Sequence, residues 1–262
     1  MRIARFVHPG GPAFGVVEGG ADLAWDALTV AEIQGHPFGP IQFTGQRWAL
    51  PDVRLLSPIL PSKVVGVGRN YGAHAAELGN EVPTVPLLFL KPSTAVIGHG
   101  DAIRLPPDSG QVEHEAELAV VIGARGARDV TREQAMDAVF GYTCANDVTA
   151  RDQQRADVQF TRAKGHDSFG PIGPWIETDL DPTDLAVRCS VDGELRQDGR
   201  TKDMVFDVPT LISFVSHVMT LLPGDVILTG TPAGVGRIAA GESVTIEVEG
   251  IGTLTNPAVA RG

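Results

Sequence analysis

The stretch "QVEHEAELAVVIG", from Gln111 to Gly123, sets three glutamates at alternate positions in front of an apolar run. Successive strand side chains point to opposite faces, so residues two apart share one face. As a strand, it puts Glu113, Glu115 and Glu117 on one side and His114, Ala116 and Leu118 on the other. Two ionised carboxylates about 6.6 Å apart repel by roughly 2.5 kcal/mol at an effective dielectric of 20. Two readings compete. One is a half-buried edge strand with a solvated glutamate face. The other is a divalent-cation site, where the repulsion becomes binding.

The rest of the chain bounds the choice. Its 262 residues suffice for one large core, or for a domain with a small appendage. A hydrophobic content of 43% and a charged content of 20% fit a soluble globular protein. The net charge of -11 argues against nucleic-acid and anionic-membrane partners, which need a basic face. Cys144 and Cys189 form neither a disulfide framework nor a CxxC site, and Cys144 in "YTCAN" reads as a buried thiol. The opening "MRIARFVHPGG" meets a turn signal before any apolar leader develops, and no run approaches the roughly 18 apolar residues of a membrane span. A cytoplasmic protein is the expectation.

Short apolar pieces broken by Gly and Pro fill residues 1 to 56, which read as a small N-terminal domain of a few strands and one helical turn. "SPILPS" (57–62) marks the boundary, and 57–262 reads as the main domain. There "KVVGVG", "TVPLLFLKP", "TAVIG", "GYTCAND", "DVILTG" and "ESVTIEVEGIGTLTNPA" read as strands. "AVRCSVDGELRQDG" reads as a hairpin turning at Asp192-Gly193. Helices are expected at "YGAHAAELG", at "TREQAMDAVFG" with Thr131 as N-cap, and at "VPTLISFVSHVMTLLPG", the longest. Strands outnumber helices and follow hairpin logic, so the fold class is mainly β with short helices (α+β).

"VVGVGRNYG" spaces its glycines at 66, 68 and 72, one residue too wide for a dinucleotide loop, and no long crossover helix follows. "TGTPAGVG" lacks the Lys of a P-loop and reads as a tight loop. Asp147 ends the strand "GYTCAN". Alone it reads as a helix N-cap, yet some thirty residues after Glu117 it can return beside the glutamates through one helix. Three carboxylates without a thiolate describe a hard-cation site: Mg²⁺ or Mn²⁺, with Ca²⁺ ranked below them. His74 and Glu77 lie three apart and share a helix face, as a structural pair or as an acid–base dyad on a mobile lid. Lys164, Arg69 and Arg151 read as surface cations unless something anionic meets them.

The ordered series "KVVGVGRNYGAH..E", "FLKPSTAV", "HEAELAVVIG", "GYTCANDVTARD", "TRAKGHDSFGPIGP", "VDGELRQDG" and "LLPGDVILTGTPAGVG" resembles the fumarylacetoacetate hydrolase family from about Lys63 onward. The resemblance implies a mixed β-sandwich roll, a homodimer and a divalent cation. By position, Glu115 and Glu117 match the metal-binding Glu-x-Glu and Asp147 the third carboxylate. Lys164 matches the active-site lysine, and His74 and Glu77 the lid dyad of the smaller members. Arg151, Gln154 and Thr231 fall on substrate-contacting positions. Apart from the resemblance, Arg69 and Arg151 could each meet a distal carboxylate of the substrate. Glu113 matches no ligand position.

About 56 residues precede the matching part, fewer than in the fumarylacetoacetate hydrolase proper. The nearer likeness is to compact bacterial members: acylpyruvate hydrolases, oxaloacetate decarboxylases and 2-hydroxyhepta-2,4-diene-1,7-dioate isomerases. The expectation is a metal-dependent enzyme that cleaves a C–C bond of a small 2-oxo acid, diketo or dicarboxylic, through an enolate. Isomerisation of such a diacid in aromatic catabolism is the alternative. A non-catalytic metal- or ligand-binding member, and a metal-independent oxidoreductase using the glycine loops, are the alternatives of other classes.

Overall fold

The chain opens with β1 (Arg2–His8), β2 (Gly11–Glu18), β3 (Thr29–Ile33), β4 (Phe43–Ala49) and β5 (Arg54–Leu56). There follow β6 (Val64–Gly68), α1 (Gly72–Glu77), β7 (Leu87–Lys91), β8 (Val96–Ile97), β9 (Ile103–Leu105), β10 (Val112–His114) and β11 (Ala116–Ile122). The middle comprises β12 (Val139–Asn146), β13 (Thr149–Ala150), α2 (Arg151–Ala156), α3 (Thr161–Gly165) and β14 (Gly170–Glu177). The last third holds β15 (Ala186–Val191), β16 (Glu194–Arg200), α4 (Val208–Val218), β17 (Val226–Leu228), β18 (Gly236–Arg237), β19 (Ser243–Val248) and β20 (Gly252–Ala260). This computed structural model describes residues 1–20 and 23–261. Where one helical turn is expected in the first 56 residues, Trp25–Ala27 and Leu50–Asp52 each form a 3₁₀ turn.

The architecture is mostly β with mixed sheets, as the sequence predicts. A large sheet runs β4-β3-β2-β1-β14-β12-β11-β17-β6-β7, and a second runs β16-β15-β19-β20-β9. β10 stands apart in a small sheet between β13 and β18. β1 joins β14 through Arg2 opposite Glu177 and Ile3 opposite Ile176, so the strands of the first 56 residues continue the large sheet.

β11 decides where the core sits. Strands β12 and β17 flank it, and all seven of its residues are buried. Leu118, Val120 and Ile122 join one apolar cluster with Val187, Cys189, Ile246 and Val248 of the second sheet. Ala119 and Val121 point the other way, into a cluster with Ile3, Val64, Ile172 and Val226. A strand covered on both faces must be apolar at every position, which is why "LAVVI" shows no alternation. Each large side chain so buried contributes about 1.5–3 kcal/mol.

Local chemistry explains the other elements. The β15–β16 hairpin turns where Asp192 (φ 48°) and Gly193 (φ 80°) both take the left-handed conformation that a two-residue turn requires. Asp207 caps α4 by accepting from the Thr210 N–H at 3.1 Å, and Val208, Leu211, Ile212 and Val215 form its buried face. The helix expected across residues 131–141 does not form. A short 3₁₀ segment covers Ala135–Ala138, and from Val139 the chain pairs as β12 with β11. Sheet pairing overrides the helix propensity there. Among the described residues no helix is long and apolar enough to cross a membrane.

Candidate functional site

The glutamate ladder is split at Glu115, between β10 and β11. The Glu115 N–H donates to Asn146 Oδ1 at 3.0 Å, and its carbonyl accepts from the Asp147 N–H at 2.9 Å. With Ala116 opposite Asn146 in the β11–β12 ladder, Asp147 arrives beside Glu115. Glu115, Glu117 and Asp147 each offer a carboxylate oxygen, and these lie within 4.8 Å of one another. All three glutamates of the ladder are buried, so the solvated-face reading fails. Asp147 caps no helix: its carboxylate meets the ammonium groups of Lys91 and Lys164.

Neither Lys164 nor Arg151 is at the surface. Lys164, on α3, donates from Nζ to Glu115 Oε2 at 2.7 Å and to Asp147 Oδ2 at 2.6 Å. Burial pushes its pKa down, but the Asp147 and Glu115 charges outweigh this and hold it above its usual value. Arg151 opens α2 with all three guanidinium nitrogens engaged: Nε to Glu113 at 2.7 Å, Nη2 to Glu115, and Nη1 to Gln154 Oε1. Glu113 thus orients Arg151 rather than joining the carboxylate trio. Burial raises the Glu115 pKa, but Lys164 and Arg151 together hold it well below the ordinary range.

Glu117 differs. It accepts the Gly230 N–H at 2.6 Å, and no cationic side chain pairs with it among the described residues. Burial first, then the Asp147 and Glu115 charges, push its pKa well above the ordinary carboxylate value. Four buried carboxylates (Glu113, Glu115, Glu117, Asp147) face three buried cations (Lys91, Arg151, Lys164), and the uncompensated charge falls at Glu117. The residues therefore fit a hard divalent cation: oxygen donors only, converging, one positive charge short. A divalent ion would leave the cluster net positive and receptive to an organic anion.

On α1, His74 Nδ1 lies 3.3 Å from Glu77 Oε2, with the imidazole buried. Glu77 also accepts from the Gly234 N–H at 3.0 and 3.2 Å. Both side chains line one cavity of about 500 Å³ with the carboxylate trio, Lys164 and Arg69. Gln154 and Thr231 reach the same wall, although the Thr231 hydroxyl is engaged, donating to the Ala116 carbonyl and accepting from Gln197 Nε2, both at 2.8 Å.

Two residues escaped the sequence reading. Lys91 closes β7, is fully buried, and donates to Asp147 and to the Val148 carbonyl at 3.2 Å. A lysine ending the apolar run "LLFL" was the available signal. Gln197 is fully buried; its Oε1 accepts the Ala116 N–H at 3.0 Å and its Nε2 holds Thr231 and Pro232. It ties β11 to the "TGTP" loop, and nothing in an exposed-looking hairpin announces that.

The fold and this site define a β scaffold with a buried trio of converging carboxylates in one cavity, and the comparisons with known proteins give its family. The profile of the fumarylacetoacetate (FAA) hydrolase C-terminal family matches residues 63–259, and that of the Rv2993c-like N-terminal family matches residues 1–58. The chain belongs to the fumarylacetoacetate hydrolase family. It is similar to the crystal structure of 2-hydroxyhepta-2,4-diene-1,7-dioate isomerase from Mycobacterium marinum, at 53% identity and TM-score 0.93, covering 100% of this chain and 99% of that one. Oxaloacetate tautomerase FAHD1, mitochondrial, from Arabidopsis thaliana is 48% identical over 196 residues, 72% of this chain and 87% of its own. The structure of maleylpyruvate hydrolase from Sphingobium sp. SYK-6, in complex with manganese(II) and pyruvate, matches at 34% identity and TM-score 0.80, covering both chains fully.

Proposed function

We propose that this protein is a divalent-metal-dependent enzyme that cleaves the C–C bond beside carbon 3 of a small 2-oxo acid. The observation that carries this reading is that the His74–Glu77 pair opens onto the same cavity as the buried carboxylate trio and Lys164. Glu115, Glu117 and Asp147 would hold Mg²⁺ or Mn²⁺, which when bound supplies a Lewis acid for the 2-oxo oxygen. That a related hydrolase binds manganese(II) and pyruvate supports the assignment.

The chain's own groups perform the proton and charge work. With Glu77 accepting the Nδ1–H of His74, the Nε2 of this cavity-lining imidazole would be the base. From there His74 takes a proton from a water that attacks the far carbonyl, and returns one to carbon 3 of the departing fragment. The Lys164 ammonium, fixed by two buried carboxylates, faces the negative charge that cleavage leaves on the 2-oxo fragment. The short helix α1 and Phe89 and Phe160 at the cavity wall restrict water around the reacting atoms.

A second reading is proton transfer alone, an enol–keto isomerisation. It is favoured by the names of the isomerase at 53% identity and the tautomerase at 48%. One assay separates the two: Mg²⁺-supplemented protein is given oxaloacetate, acetylpyruvate and a hydroxymuconate-type diacid, with pyruvate release and enol absorbance followed together. Cleavage predicts pyruvate from acetylpyruvate or oxaloacetate above the uncatalysed rate. His74→Ala should then remove hydrolysis and spare more of the decarboxylation, which needs mainly the cation. Loss of enol absorbance without pyruvate sinks the cleavage reading and leaves the isomerase.

A further inference from the structure

The cations that line the cavity are unequal in what they have left to offer. Lys164 is tied to Glu115 and Asp147, and Arg151 to Glu113, Glu115 and Gln154. Arg155 is exposed and donates to Gln111 Oε1 at 2.6 Å. Arg69 is half-buried at the cavity wall, and its guanidinium makes no hydrogen bond or ion pair with any described residue.

Its backbone is equally unusual. Arg69 has φ 58°, a left-handed conformation that a long L side chain seldom adopts. The neighbouring residue enforces it. Asn70 is fully buried; its amide donates to the Thr229 carbonyl at 2.7 Å and the Phe206 carbonyl at 3.0 Å, and accepts the Phe206 N–H at 2.8 Å. Its own carbonyl accepts the Val205 N–H at 2.8 Å. Two separate loops therefore fix the turn that carries Arg69. Strain of this kind persists only where the surroundings over-determine it, and it clusters at sites of ligand contact.

We propose that Arg69 receives a second anionic group of the substrate, so that the site selects dianionic over monoanionic 2-oxo acids. The inference rests on the 2-oxo acid reading above and assigns the distal contact to Arg69 alone, since all three Arg151 guanidinium nitrogens are already engaged, by Glu113, Glu115 and Gln154. A guanidinium presents paired N–H donors in the geometry of a carboxylate. In a chain of net charge -11, which repels a dianion at long range, a local cation of this kind supplies the preference.

The test is calorimetric binding of two stable 2-oxo acids to the Mg²⁺-loaded protein. 2-Oxobutyrate is the monoanion, and 2-oxoglutarate adds a distal carboxylate to the same head. The wild type should bind the diacid at least about tenfold more tightly. Arg69→Gly suits the left-handed backbone, so its Tm should not fall below that of the wild type. It should bind the diacid no more than about threefold more tightly than the monoacid, with monoacid affinity little changed, and Arg69→Lys should restore part of the preference. A diacid preference that survives in Arg69→Gly, or an equal loss for both acids, overturns the assignment. A wild type that binds neither acid overturns the 2-oxo acid reading itself, and this inference with it.

Discussion

Both carboxylate oxygens of Glu77 accept the backbone N–H of Gly234, at 3.0 and 3.2 Å, so helix α1 is held by a loop 157 residues away. A six-residue helix is too short to persist alone. Gly234 sits at φ 96°, and a Cβ there would lie 2.2 Å from the Arg196 carbonyl oxygen. Gly234→Ala must therefore move the loop and release Glu77 from the orientation that sets His74. We expect a fall in kcat of at least about tenfold with Mn²⁺ affinity little changed, because in the proposed function the dyad acts in the reaction and not in holding the metal. Wild-type kcat in a folded Gly234→Ala protein would show that the latch is irrelevant to catalysis.

Under the proposed function Lys164 and the cation would share Glu115 and Asp147, and this gives a signed expectation. Removing the ammonium leaves two buried carboxylates short of a partner, which costs on the order of 3–5 kcal/mol in the metal-free protein. A bound cation supplies much of the missing charge. Lys164→Met should accordingly lose much of kcat, bind Mn²⁺ no more weakly than the wild type, and show its stability deficit chiefly in EDTA. Urea unfolding with and without Mn²⁺ reads this out. An equal deficit under both conditions would mean that the lysine and the cation do not share those carboxylates.

His99 stacks on Trp25 at 4.8 Å between ring centres, and its Nδ1 accepts the Thr255 N–H at 3.2 Å. Burial lowers its pKa, and the hydrogen bonding at Thr253 and the charge of Asp101 do not make up the difference. The unfolded chain therefore takes up this proton at a higher pH than the fold does. The stability that neutral His99 contributes is present above its unfolded pKa, near 6.5, and is lost as pH falls from there toward the folded value. His99→Asn should flatten the loss between about pH 6.5 and 5 in EDTA-treated protein. An unchanged slope in urea-unfolding midpoints would assign the acid sensitivity elsewhere.

Much of this was legible in the chain because the physics was local. The every-second-residue spacing of Glu113, Glu115 and Glu117 pointed to a shared face, and the Asp192-Gly193 turn follows from two residues that tolerate positive φ. The rest depends on distant partners. The break at Glu115 arises because β10 and β11 join different sheets. Glu113 turns to Arg151 only because α2 starts where β13 pairs with β10. Lys91 and Gln197 acquire their roles from strands far along the chain, so each looked like an ordinary strand residue. The 131–141 segment has good helix formers, yet its last three residues, from Val139 to Gly141, pair with β11. The left-handed Arg69 is set by Asn70 reaching Phe206 and Thr229, which no reading of neighbours reveals.

If Glu115, Glu117 and Asp147 hold a cation, Glu117 is the ligand that no cationic side chain pairs with among the described residues. The direct measurement is calorimetric titration of EDTA-stripped protein with Mn²⁺ at neutral pH, wild type beside Glu117→Gln. The substitution preserves shape and can still accept the Gly230 N–H while removing the charge. We predict one Mn²⁺ per chain in the wild type and at least about tenfold weaker binding in Glu117→Gln, since a hard cation's affinity follows ligand charge. Equal affinity in the two proteins, or no binding by the wild type, would contradict the account.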